Sequence, residues 1–165
     1  MCEAYRDQYG CDFFSVMPTN LYGPNDNYDL ENSHVLGAFI RKFHEAKRDG
    51  KNVVTIWGTG RPKREFLHVD DLAEACFKLM NSRGRTPMLV NVGTGVDISI
   101  QELASLVQEI IGFEGTIVND LSRPDGTPRK LLDLSLMRSK DWEPTIDLKT
   151  GLQRVYEQVK TETWY

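Results

Sequence analysis

The sequence predicts an α/β fold, and three features carry that expectation. Short apolar runs of strand character alternate with segments whose apolar residues recur at helical spacing. Glycine, proline, asparagine and aspartate gather between them, where turns belong. The 165 residues, 40% apolar and 27% charged, have the composition of one ordinary globular domain with enough chain to bury a core.

The elements follow in order. MCEAYRDQYG, residues 1–10, reads as the tail of a helix stopped by Gly10, with helix formers and no N-cap before them. That uncapped start carries the expectation of an upstream portion, with Met1 an internal methionine. Phe13 to Met17 is an almost continuous apolar run, expected of a strand covered on both faces, and Pro18 to Pro24 is its exit into a loop. After the polar stretch NDNYDLENSH, residues Val35, Leu36, Phe39, Ile40 and Phe43 share one helical face. Lys51 to Trp57 and Glu65 to Val69 read as strands, and Asp70 as the cap of a helix reaching about Met80. Leu89 to Val92 is a strand closed by Gly93-Thr94-Gly95. As a phosphate loop that turn lacks the third glycine of GxGxxG, so a tight strand-to-helix turn is the better reading. Ser99 and Glu102 have capping-box spacing ahead of the apolar face Ile100, Leu103, Leu106, Val107 and Ile110. Gly115 to Val118 is a brief strand. Asp147 caps a last helix with Leu152, Val155, Tyr156 and Val159 on one face.

Charge and cysteine usage narrow the function classes. A formal net charge of −4 repels nucleic acid and leaves any anion to a local cluster of cations. Cys2, Cys11 and Cys76 show neither CxxC nor Cys/His ligand spacing, so a reduced chain without a metal is expected. With no apolar run of spanning length and no signal-peptide pattern, the expectation is a cytoplasmic protein without a membrane partner.

Three places could carry chemistry. In WGTGRPKREF, Gly58 and Gly60 let the backbone approach a ligand, Arg64 offers a bidentate fork suited to a diphosphate, and Trp57 offers a flat face. The competing reading makes Trp57 a core anchor and the cations a solvated hairpin tip. His34, at a helix start, is suited to proton transfer, or is a helix-entry residue satisfied by backbone. His44 and His68 are weaker candidates. Asp125 in SRPDGTPRK sits in turn chemistry, yet could accept hydroxyls beside Arg129 and Lys130.

Taken together, PTNLYGPNDNY, NSHV, WGTGRPKREFLHVDDLA, NVGTG and PDGTPRK resemble, in that order and over nearly the whole chain, the GDP-L-fucose synthase family of extended short-chain dehydrogenases/reductases. The PTN-x-YGP and REF-x-HVDDLA blocks occur in many nucleotide-sugar epimerases and dehydratases; NSHV and PDGTPRK narrow the match. The resemblance implies the end of an NAD(P)-binding Rossmann-like parallel sheet plus a smaller α/β substrate-binding domain. Residues 1–32 would be the remnant of the dinucleotide domain and residues 33–165 mainly the GDP-sugar domain. The implied reaction uses NADPH to turn GDP-4-keto-6-deoxy-D-mannose into GDP-L-fucose, by 3,5-epimerisation and then 4-reduction. Pro18, Thr19, Asn20, Leu21 and His34 would line the cofactor, with His34 as the epimerisation acid. Lys42, Trp57, Arg64 and Asp125 would bind the GDP-sugar; Lys42 keeps a charge where a fork would be lost relative to Arg. The dinucleotide fingerprint, the Ser–Tyr–Lys reduction set and the family's catalytic cysteine would lie upstream. Tyr5 does not start a YxxxK motif, because Tyr9 stands where Lys is required.

On these terms the chain is expected to be a C-terminal half, with incomplete NADPH/NADP binding and no reduction on its own. The strand at Phe13 to Met17 would be left with an exposed edge and face, and the homodimer of the full-length family with half its interface. Two other readings stand beside it: a non-catalytic nucleotide-sugar-binding or interaction module, and another nucleotide-sugar epimerase or reductase.

Overall fold

A computed structural model describes residues 1–82 and 86–161. The helices are α1 (Cys2–Tyr9), α2 (Val35–Arg48), α3 (Val69–Met80), α4 (Ile100–Ile111), α5 (Ser135–Ser139) and α6 (Leu148–Val159). The strands are β1 (Ser15–Pro18), β2 (Asn20–Tyr22), β3 (Val53–Trp57), β4 (Lys63–His68), β5 (Leu89–Val92), β6 (Asp97–Ser99), β7 (Thr116–Asp120) and β8 (Arg129–Lys130). Parallel pairing dominates: β1 with β5, β2 with β4, β3 with β7 and β4 with β8, while β6 runs antiparallel to β4. Among the described residues no helix is long and apolar enough to cross a membrane.

Local chemistry sets many boundaries. α1 ends at Gly10, whose φ of 69° is left-handed. α4 opens on the full capping box: Ser99 Oγ accepts from the Glu102 amide at 3.1 Å, and Glu102 Oε2 accepts from the Ser99 amide at 2.9 Å. Asp147 caps α6 by accepting from the Thr150 amide at 3.0 Å. At α3 the structure corrects the expected cap. Helix α3 begins at Val69, and His68 Nδ1 accepts from the Asp70 amide at 3.2 Å, so Asp70 lies inside the first turn. Asp70 Oδ2 also lies 3.5 Å from Nδ1.

Two apolar clusters hold the elements together. The larger joins α2, α4 and α6 to β3, through Phe43, Ile56, Leu103, Val107, Leu152 and Val155. The smaller gathers Leu67, Leu79, Val90, Val92, Met137 and Trp142 about β5. The strand expected to be covered on both faces is not: Met17 on β1 and the preceding Phe13 are each 50% exposed, and the Tyr5 ring of α1, its centroid 5.9 Å from that of Phe13, covers the latter only in part. The segment expected as a plain strand exit contains β2, a strand of three residues, too short to show a period.

One acidic side chain of β4 is fully buried. Glu65 is 0% exposed, and its Oε1 accepts from the amides of Thr94 and Gly95, each at 2.6 Å. Oε2 accepts from the Leu132 amide at 3.3 Å. A Cβ at Gly93 would collide with the same carboxylate, so glycine is required for this approach. Consecutive amides of this kind form an anion-binding concavity. Here the amides of the Gly-Thr-Gly turn are taken by the Glu65 side chain, and the turn leads into β6 rather than directly into a helix.

Glu65→Ala strands three buried or half-buried amide donors, each worth about 1–3 kcal/mol. Urea denaturation should show a loss of at least ~3 kcal/mol, with Glu65→Gln, which keeps one acceptor, falling between the two.

Candidate functional site

The glycine turn after β3 does not close a hairpin, since β3 and β4 belong to different sheets. It is instead fastened to the segment 121–128. Gly58, at a φ of 72°, leaves the space that the Asp125 carboxylate occupies, and any Cβ there would strike Oδ1. Asp125 accepts from the Thr59 amide at 2.8 Å and from Thr59 Oγ1 at 2.6 Å. The hydroxyl first, and the amide second, hold the Asp125 carboxyl below its ordinary range. Further along, Pro128 accepts from the Lys63 amide at 2.8 Å, and Arg64 Nη1 donates to the carbonyls of Lys63 and Thr127 at 2.7 and 2.6 Å.

A cavity of about 330 Å³ opens beneath this fastening. His34, Lys42, Trp57, Arg64 and Asp125, drawn from separated parts of the chain, all line it, with Phe39 and Phe66 among its apolar wall. Trp57 is 53% exposed, which rules out the core-anchor reading. Its ring lies 5.2 Å from Lys42 Nζ, within cation–π range. Burial pushes the Lys42 ammonium below the ordinary lysine range, the mark of a cation short of water. Arg64 has Nη1 committed to carbonyls, which leaves Nε and Nη2 as donors for an anion.

A second cavity, of about 510 Å³, lies at the carboxyl end of β1. Pro18, Thr19, Asn20, Leu21 and His34 line it together with Met17, Asp26, Lys130 and Leu132. Asn20, Leu21 and His34 are common to both cavities. Thr19 Oγ1 and Asn20 Nδ2 both donate to the backbone carbonyl of Glu65, at 3.1 and 2.8 Å. His34 is the N-cap position of α2, yet its imidazole makes no capping bond. The alternative of a histidine whose ring is used up at the helix entry is thereby removed.

The remaining candidates separate cleanly. His44 Nδ1 lies 3.1 Å from the Tyr156 hydroxyl between α2 and α6, and burial lowers its pKa. His68 is a buried cap. Arg129 pairs with Asp97, so it serves the fold. Arg61 and Lys63 have exposed side chains. Lys130, expected only as a neighbour of Asp125, lines the second cavity, and sequence reasoning passed over Glu65, which braces the turn beside it. For Glu65 a signal existed, since a carboxylate between Arg64 and the apolar Phe66-Leu67 has to be buried with partners.

Comparison with known proteins places this geometry among relatives. The model of the NAD dependent epimerase/dehydratase family matches residues 1–93. The chain is 54% identical over 165 residues to "Putative GDP-L-fucose synthase 2" of Arabidopsis thaliana, covering 100% of this chain and 48% of that protein. Among solved structures, a GDP-6-OMe-4-keto-L-xylo-heptose reductase from C. jejuni superposes with a TM-score of 0.84 at 38% identity, over 98% of this chain and 57% of the other. A GDP-L-fucose synthetase from Naegleria fowleri bound to NADP gives a TM-score of 0.83 at 26% identity, over 94% of this chain and 49% of the other. The chain spans about half the length of the curated relatives it matches.

Asp125→Ala should release the Gly58–Gly60 turn. Amide hydrogen exchange at Thr59 is expected to speed up, while Ser122, held by Asp120 at 3.0 Å, keeps its protection. Unaltered exchange at Thr59 would mean that the fastening lies elsewhere.

Proposed function

The chain belongs to the NAD dependent epimerase/dehydratase family, and from that premise we propose that it forms the substrate-side part of a GDP-sugar 3,5-epimerase/4-reductase. The proposed reaction converts GDP-4-keto-6-deoxy-D-mannose to GDP-L-fucose. One observation carries this reading: the cations, the aromatic ring and the histidine expected from separate sequence blocks line a single cavity, and the histidine also lines its neighbour. In this reading residues 1–32 belong to the dinucleotide side and residues 33–165 mainly to the sugar side.

The geometry supports a role for each residue. Nε and Nη2 of Arg64 bind the diphosphate by charge-assisted bonds. Lys42, already desolvated, gains from any anion that enters, because the cost of drying its ammonium is met before the ligand arrives. Trp57 lines the cavity with an exposed ring that serves the GDP-sugar as an aromatic wall. Asp125, with both oxygens on Thr59, retains lone pairs for a ribose or sugar hydroxyl while holding the wall in place. His34, with its ring free of the helix cap, stands at the seam of the two cavities. There its imidazole can return a proton to the carbanion formed beside the 4-ketone.

The second cavity suits NADPH. Met17, Pro18, Leu21 and Leu132 offer apolar surface to a flat ring, and Asp26, His34 and Lys130 offer polar edges. Pro18, Thr19, Asn20, Leu21 and His34 would hold the nicotinamide end, with Thr19 and Asn20 held in place by the Glu65 carbonyl. When bound, NADPH supplies the hydride for the ketone. The GDP-heptose reductase neighbour favours a second reading, in which the same cavity serves a different GDP-sugar.

Arg64→Ala should weaken GDP binding, read by calorimetry, by about 1.5–3 kcal/mol, the value of one charged contact. Unchanged affinity would remove Arg64 from the site. His34→Gln should slow deuterium uptake from solvent at C3 and C5 of the sugar by roughly 100-fold or more in the intact protein. Reduction of an already epimerised ketone should be affected far less, and normal uptake would exclude the acid role.

A further inference from the structure

Resting on the GDP-sugar reading, we propose that Arg123 is a further phosphate-binding residue, a third cation of the diphosphate site beside Lys42 and Arg64. No motif singled it out. Its guanidinium carbon lies 4.9 Å from the centroid of Trp57, the same ring that Lys42 Nζ approaches to 5.2 Å. Two cations therefore sit on one aromatic ring, and that ring, Lys42, Arg64 and Pro124, the residue after Arg123, line one cavity.

The state of the Arg123 guanidinium argues for a ligand. Among the described residues this exposed guanidinium makes no hydrogen bond and no ion pair, so its planar donors remain available beside the ring. Asp120 is the carboxylate that feels its charge, but that group is bound first to Ser122, through Oγ at 2.6 Å and the amide at 3.0 Å. A guanidinium beside an indole face has an N–H edge to offer, and a phosphate accepts from such an edge through two oxygens.

The backbone that carries Arg123 is held as a binding element would be. The Arg123 amide donates to the Asp120 carbonyl at 3.3 Å. Two residues on, Asp125 is fastened to Thr59, and Pro124, Asp125 and Gly126 line the cavity. Arg123 is thus delivered to the ring by a segment fixed on both sides of it. In a chain of net charge −4, a local group of three cations is where an anion would be drawn.

The test is an NMR titration of the wild-type chain, Arg123→Ala, Arg123→Lys and Arg64→Ala, with GDP and with guanosine as probes. Arg123→Ala is expected to weaken GDP at least about tenfold, with Arg123→Lys recovering part of the loss and guanosine binding unchanged. GDP affinity within about twofold of wild type in Arg123→Ala, alongside a large loss in Arg64→Ala, would overturn this assignment and leave the GDP-sugar reading intact. Equal losses for GDP and guanosine would move Arg123 to the base and overturn its phosphate role. Failure of the wild-type chain to bind GDP would topple the GDP-sugar reading and this one with it.

Discussion

A carboxylate sealed inside a protein must have its oxygens matched to donors, and the way Glu65 meets that requirement determines where both cavities lie. Its side chain gathers the amides of Thr94, Gly95 and Leu132, which come from the turn after β5 and from the segment before α5. Its backbone carbonyl takes the side chains of Thr19 and Asn20, which follow β1. One residue of β4 thus connects three stretches of chain remote in sequence. The neighbouring Arg64 points from the same strand to the segment 121–128. Strand β4 is therefore the rigid element from which the wall of each cavity is measured.

The cations of the first cavity work against the protein's overall charge, and their surroundings make that possible. Lys42 is half-buried beside an indole and short of water, and Arg64 is braced by carbonyls rather than by a carboxylate. A cation held by dipoles and ring faces keeps its charge available, whereas Arg129, paired with Asp97, has had its charge neutralised within the fold. Position beside a cavity and the absence of a carboxylate partner set these two cations apart from Arg129. Counting basic residues along the chain does not.

Elements whose signals are local were legible in advance. The Gly10 stop, the Ser99–Glu102 box and the Asp147 cap each depend on backbone groups within a few residues, so their chemistry is written next to the structure it produces. The cap of α3 was misread because His68 and Asp70 are both able to serve, and burial of the imidazole against Tyr22, ring centroids 5.3 Å apart, decided between them. Strands β2, β6 and β8 have two or three residues each and exist through pairing with β4. No period can form over so short a run.

By itself the sequence determined the α/β class, the helix faces, the caps that use neighbouring residues, and the identity of the motif residues that face the first cavity. The motif blocks name side chains, but they carry no distance between blocks. Only the tertiary structure decided that Trp57, Lys42 and Arg123 share one ring, that Asp125 secures the Gly58–Gly60 turn, and that the Gly-Thr-Gly turn is filled by Glu65. The physical reason is common to all three. Each depends on groups 15 to 66 residues apart being brought within bonding range, and packing of the core, rather than any local preference of the backbone, supplies that proximity.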